Sequence, residues 1–169
     1  MYENKIITEP KWKSWIIQTT TPLFTPDQCN QIIASGRAQK PQQAQVGINK
    51  PGGGTNTKKR VTTISWIPFQ EMGHMYQDLN KFIQQANENH FGFGDIQITE
   101  QAQFTEYPQG GFYDWHMDCD VNMEHEPPVR KISMTVLLND PSEFEGGHLE
   151  IMAPGKYAEL KQGHAICFA

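Results

Sequence analysis

Apolar positions along this chain follow two different periods. Between about residues 69 and 87, Met72, Met75, Tyr76, Leu79, Phe82, Ile83 and Ala86 recur every three or four residues, the spacing that lines one stripe of an α-helix. A shorter helix is expected upstream. Thr25-Pro26-Asp27-Gln28 supplies an N-cap hydroxyl, a proline at the first helical position and a glutamine at the third, which together read as a capping box. That helix would bury Cys29, Ile32 and Ile33 and stop at Gly36. After the glycine-broken Phe91-Gly92-Phe93-Gly94 the period becomes two. Ile96 to Tyr107 reads as one long strand or two short ones, and Lys131 to Leu138 places Ile132, Met134, Val136 and Leu138 on one face. Gly147 to Met152 and His164 to Phe168 follow as strands, separated by the turn-rich Asn139-Asp140-Pro141 and Ala153-Pro154-Gly155. Helices followed by a run of antiparallel strands indicate an α+β protein whose strands form a barrel or sandwich.

The remaining segments refine this picture. Residues 1–24 read as an extended lead-in anchored in the core by Trp12, Trp15, Ile16 and Ile17, and Val61 to Trp66 alternates as a strand. Residues 37–60 are polar and end in PGGGTNTKKR. The spacing of a phosphate-binding loop is not met there, so a mobile loop between short strands is expected, of the kind that covers active sites. No internal repeat is visible. At 169 residues the chain fits a single domain, 1–169, with a helical and loop-rich part (1–95) and a β core (96–169).

Composition narrows the function. A net charge of −5 argues against a general nucleic-acid binder, which would show a basic patch. The one cationic cluster, Lys58-Lys59-Arg60, reads as a solvated loop end. Cys29, Cys119 and Cys167 are odd in number and contain no CxxC pair, which fits a reducing compartment better than a disulfide framework or zinc site. MYENKIITEPKWK carries no apolar run, so a soluble, cytoplasmic protein without signal peptide or membrane span is expected.

The candidate chemistry lies in YPQGGFYDWHMD, residues 107–118. His116 and Asp118 are two residues apart in an extended, aromatic-rich segment, and alternate side chains of a strand point the same way. An imidazole nitrogen and a carboxylate oxygen can then converge on one divalent metal. With a second histidine from elsewhere, such a pair makes the facial triad of non-haem iron(II) oxygenases. A calcium loop starting at Asp118 is excluded, because Met123 and Val129 stand where glycine and glutamate are required. On residues alone, a hydrogen-bonded His116–Asp118 pair at a strand end, with Glu124-His125-Glu126 as a solvated turn, stays open.

The neighbours of the pair add a pattern. Tyr107, Gly110, Tyr113, His116 and Asp118 form YxxGxxYxxHxD; Arg130-Lys131-Ile132-Ser133 leads into a strand; Glu145-Gly146-Gly147-His148-Leu149 follows. In this order and spacing the chain resembles the prolyl 4-hydroxylase-like branch of the iron(II)/2-oxoglutarate-dependent dioxygenases. The likeness spans roughly Phe104 to Phe168 and extends loosely to the helices. It implies a double-stranded β-helix (a jelly-roll or cupin-like core) with the N-terminal helices packed against it. It further implies that His116 and Asp118 are iron ligands, that Tyr107 and Ser133 line the 2-oxoglutarate pocket, and that Arg130 contacts substrate. Tyr113 and Trp115 would flank the entrance, and Gly146-Gly147 would form a tight turn or bulge. The implied cofactors are Fe(II), 2-oxoglutarate and O₂, and the implied reaction is hydroxylation of a prolyl residue in a peptide or protein, coupled to conversion of 2-oxoglutarate to succinate.

The same family places a second iron-binding histidine, and then a basic residue for the distal carboxylate of 2-oxoglutarate, beyond the strand that here ends at Ala169. Neither His148 nor His164 stands at that position. The resemblance therefore implies a sequence cut before the distal histidine and an incomplete site in the chain as written. Two other readings stay open: a non-catalytic β-helix binding or structural module that has lost the metal site, and a metal enzyme of another type with a different third ligand.

Overall fold

The computed structural model of the protein describes residues 14–44, 56–118, 130–151 and 157–169. Trp12, Cys119, Glu124-His125-Glu126, Ala153-Pro154-Gly155 and most of the glycine-rich loop lie outside these residues. The first helix, α1 (Pro26–Ala38), begins where the capping signal stands. The Thr25 hydroxyl accepts from the Gln28 amide at 3.3 Å and the Gln28 side chain accepts from the Thr25 amide at 2.9 Å. Both halves of the capping box are made, satisfying N–H groups that have no partner within the helix. Cys29 and Ile32 are buried and Ile33 is half-buried, as expected.

Gly36 does not stop this helix, which continues to Ala38. Its place is fixed by close approach instead. A Cβ there would sit 2.6 Å from Cδ1 of Phe104, and the Gly36 carbonyl accepts from the Ser65 hydroxyl at 2.6 Å. Only a bare backbone lets the helix rest this closely on the sheet beneath it.

The second helix, α2 (Gly73–Ala86), starts later than its apolar stripe suggests. Pro68 and Glu71 close a turn first, the Glu71 amide donating to the Pro68 carbonyl at 3.1 Å. Met75, Tyr76, Leu79, Ile83 and Ala86 form the buried face. A wider π turn over Asn87–Phe91 then ends at Gly92. The Tyr76 hydroxyl ties α2 to the sheet, donating to the Ile67 carbonyl and accepting from the Ala102 amide at 2.7 Å.

Among the described residues the strands are short and their pairings antiparallel. In chain order they are β1 (Ile16–Gln18), β2 (Gln42–Gln43), β3 (Arg60–Val61), β4 (Thr63–Ile67), β5 (Ala102–Glu106), β6 (Phe112–Tyr113), β7 (Ser133–Val136), β8 (Leu149–Glu150), β9 (Tyr157–Ala158) and β10 (Ala165–Phe168). Two three-stranded sheets run in the orders β1-β10-β7 and β2-β4-β5; β3 pairs with β6 and β8 with β9. The single strand expected over 61–66 is split at Thr62, because Arg60–Val61 pairs with β6 while Thr63–Ile67 pairs with β5. The strand expected over 96–107 shortens to β5, and Ile96 and Ile98 pack on the core without strand pairing. Gly146 and Gly147 both take positive φ, 74° and 63°, conformations open to glycine at little cost, and the turn feeds β8. Strands on either side of residue 96 share sheets, so the helical and β parts are interleaved.

Two core clusters meet through Ile98 and Met134. One gathers Phe24, Cys29, Ile32, Ile67, Met72, Met75, Tyr76, Leu79 and Phe104; the other Ile83, Ala86, Phe91 and Cys167. Cys29 and Cys167 are free, buried thiols, and burial pushes Cys167 up to about 12. Trp15 departs from expectation. It is 51% exposed and stands just before β1, which among the described residues is an edge strand of its sheet. No helix among the described residues is long and apolar enough to cross a membrane.

Gly36→Ala tests the helix–sheet contact. The added methyl must displace the Phe104 ring, so stability should fall by about 1–3 kcal/mol, as overpacking of a tight core does. The loss should shrink when Phe104→Leu is already present, since contacting sites couple. Chemical denaturation of the four proteins of this cycle reads both effects; strict additivity would remove the contact as the reason for Gly36.

Candidate metal centre

The segment that carries His116 and Asp118 is delivered by β5 and aimed by β6. After Glu106 the chain turns, the Gly111 amide donating to the Pro108 carbonyl at 2.7 Å. Phe112 and Tyr113 then pair with Val61 and Arg60. The Asp114 amide continues the ladder by one bond to the Lys59 carbonyl at 2.8 Å. His116 and Asp118 lie past the end of this ladder, in irregular backbone and not in a strand. Their side chains converge all the same, with His116 Nε2 lying 3.1 Å from Asp118 Oδ1.

Each of the two side chains is held separately. His116 Nδ1 is 2.8 Å from the Asp114 carbonyl. A carbonyl only accepts, so Nδ1 donates to it. A carboxylate likewise only accepts, so the contact with Asp118 is made by Nε2–H of the protonated ring. When that proton leaves, Nδ1 keeps its own and Nε2 is left with a lone pair. The imidazole stacks on Tyr113 with ring centroids 3.5 Å apart and planes 13° from parallel. Ser133 stands near enough to the Asp118 carboxylate to favour its ionised form. The Asp118 carbonyl accepts from Arg130 at 2.9 Å, and the same guanidinium grips both oxygens of Glu100 at 2.9 and 2.7 Å.

Electrostatics follow from this pairing. The hydrogen bond to Asp118 raises His116 above its ordinary value, against partial burial, which opposes it. The hydrogen bond to His116 lowers Asp118 below the ordinary carboxylate range, again against partial burial, with Ser133 adding to the effect.

The structure gathers part of the expected site. His116, Asp118, Tyr113 and Arg130 form one connected group, with Ser133 near the Asp118 carboxylate. Arg130 is held in the Glu100–Asp118 clamp and does not present an unengaged fork. Tyr107 and Trp115 are 53% and 50% exposed. His164 is placed elsewhere: it is buried between β1 and β10, its Nδ1 3.0 Å from the Thr19 carbonyl. Three contributors escaped sequence reasoning. Glu100 and the Asp114 carbonyl act through partners visible only in three dimensions. Arg60 is the third: Lys58 and Lys59 are exposed as expected of a loop end, but Arg60 is only 7% exposed. Its shared parity with Thr62 and Ile64, both buried, was the signal available.

The pair fits a metal. Two cis ligands at about 2.1 Å from an octahedral ion stand about 3 Å apart, close to the separation found between His116 Nε2 and Asp118 Oδ1. A nitrogen and a carboxylate oxygen, with the far ring nitrogen locked on a carbonyl, is the donor arrangement a divalent first-row ion takes. Among the described residues no group of three or more His, Cys, Asp or Glu side chains gathers to hold a metal.

Comparison with known families bears on this segment. Residues 102–169 match the sequence model of the 2OG-Fe(II) oxygenase superfamily. That match covers β5 to β10 and so includes the His116–Asp118 pair; it supports a general oxygenase function of the dioxygenase class, for which Fe(II), 2-oxoglutarate and O₂ are the general requirements. Neither the curated proteins nor the solved structures contain a significant match to the chain.

The ion pair sets a pH dependence. A raised His116 stabilises the fold below its unfolded value and stops doing so as pH rises through its folded midpoint; a lowered Asp118 stabilises above its unfolded value and stops as pH falls through its own. The pair therefore contributes fully between about pH 4 and 6.5, the two unfolded values. Asp118→Asn should lower the His116 midpoint in an NMR titration, and an unmoved midpoint would refute the pairing. A divalent ion must displace the same proton, so its affinity should weaken as pH falls below the His116 midpoint.

Proposed function

We propose that this protein is an Fe(II)- and 2-oxoglutarate-dependent oxygenase of the prolyl 4-hydroxylase-like branch. In this reading it is built on a double-stranded β-helix, acts in the cytoplasm, and hydroxylates prolyl residues in a peptide or protein. The observation that carries the reading is the 3.1 Å approach of His116 Nε2 to Asp118 Oδ1 inside the segment that matches the oxygenase superfamily. Iron and 2-oxoglutarate, when bound, supply oxidative decarboxylation of the keto acid to succinate and CO₂, with one oxygen atom of O₂ passed to a substrate C–H bond.

The chain's own groups would then act as holders and orienters. His116 offers Nε2 to iron because Asp114 keeps the proton on Nδ1. Asp118 offers a carboxylate kept ionised by its partners, Ser133 among them. Ser133 and Tyr107 would border 2-oxoglutarate. Tyr113 and Trp115 would flank the substrate, with Arg130 at the edge of its path. The reading requires a third protein ligand and a cation for the distal carboxylate in addition to the residues described.

Succinate formed from 2-oxoglutarate by the full-length protein, in the presence of Fe(II), ascorbate and a proline-rich peptide, tests the assignment. His116→Ala and Asp118→Ala should each reduce turnover to background. Equal succinate from the wild type and His116→Ala would sink the iron site. Succinate without hydroxyproline would redirect the search to another substrate. No succinate from any variant, together with unchanged folding, would favour the non-catalytic module, in which His116 and Asp118 serve only each other.

A further inference from the structure

Arg60 is a buried cation held by neutral partners. Its Nε donates to the Thr62 hydroxyl at 2.9 Å and a terminal nitrogen donates to the Gln103 side-chain oxygen at 2.8 Å. Among the described residues the ion pairs involve Arg37, His116 and Arg130, and not Arg60. Burying a charge without an opposite charge is costly, so its retention points to work that a neutral side chain would not do.

Its third contact shows what that work is. The guanidinium carbon lies 4.3 Å from the centroid of the Tyr113 ring, and the His116 ring lies 3.5 Å from the same centroid, nearly parallel. Two planar groups this close cannot occupy one face of a phenol ring, so Tyr113 is sandwiched between them. The Asp114 carbonyl fixes one direction for the imidazole but leaves it free to roll about the Nδ1–H···O axis. The Tyr113 face removes that freedom. Tyr113 is in turn held by its backbone pairing with Arg60 and by the cation on its far face.

We propose that Arg60 is a positioning residue for the metal-binding imidazole, holding Tyr113 from behind and so fixing the plane in which His116 presents Nε2. The proposal rests on His116 being a metal ligand. It makes a prediction opposite in sign to simple electrostatics. Removing a cation near a divalent-ion site strengthens binding if charge alone matters; it weakens binding if Arg60 acts through geometry.

Co(II) serves as the probe, titrated into the full-length protein and followed by its visible absorption. Arg60→Gln should weaken Co(II) binding by roughly tenfold, the scale of outer-shell substitutions at metal sites. Arg60→Lys should recover only part, since an ammonium does not reproduce a planar guanidinium. Lys59→Gln, which removes an exposed charge one residue away, should leave affinity unchanged. In the metal-free protein the His116 ring protons, shielded over Tyr113, should move downfield in Arg60→Gln. Equal or tighter Co(II) binding by Arg60→Gln, or unmoved His116 signals, overturns the proposal. Should Arg60→Gln lose its fold by circular dichroism, Arg60→Lys carries the test, and wild-type affinity in that variant overturns it. A wild type that binds Co(II) no better than His116→Ala refutes the metal reading itself, a result separate from failure at Arg60.

Discussion

The antiparallel pairing of Thr63–Ile67 with Ala102–Glu106 is the constraint on which the rest of the molecule hangs. Because strand side chains alternate, its two faces serve different ends. Phe104, paired with Ser65, points to the core; there Gly36 of the first helix sits on its ring and accepts from the Ser65 hydroxyl. Gln103 points the other way and receives Arg60. Through Arg60, Tyr113 and His116, one strand pair therefore couples the packing of the core to the aim of the candidate metal ligand. The end of the same pair is latched by Tyr76, so both helices bear on it.

What could be read from the chain in advance was what is local. The capping box at Thr25 and the apolar stripe from Met72 to Ala86 are set within a few residues, and helix formation is correspondingly legible. The convergence of His116 and Asp118 was legible because the two stand only two residues apart. Its strand assignment failed, since the ladder with Arg60–Val61 ends before it reaches His116. Gly36 resembled a helix stop, and the ring that fixes its role comes from Phe104, far along the chain.

Arg60 was misread for the same reason. In a row of lysine, lysine and arginine, composition favours a solvated end, yet the third member is withdrawn by Gln103 and Tyr113, which come next to it only in the folded chain. Trp15 errs in the other direction: a large apolar ring reads as core, but its place just before β1 leaves it half in solvent. Burial of single residues is decided by tertiary contacts, and local pattern records it only as parity along a strand.

The His116–Asp118 contact could be an ion pair sufficient in itself, and its support argues otherwise. The two side chains are 35% and 30% exposed, and at such exposure an ion pair contributes about 0–1 kcal/mol. Four separate devices nevertheless hold it. Asp114 fixes the tautomer, Tyr113 fixes the ring plane, Ser133 favours the ionised carboxylate, and the Arg130–Glu100 clamp holds the backbone beneath it. A weak surface contact gains little from so much fixation. A pair of ligands gains a great deal, because metal affinity depends on donor atoms held in place before the ion arrives. The density of support around the pair, more than the pair itself, is what favours a metal between His116 and Asp118.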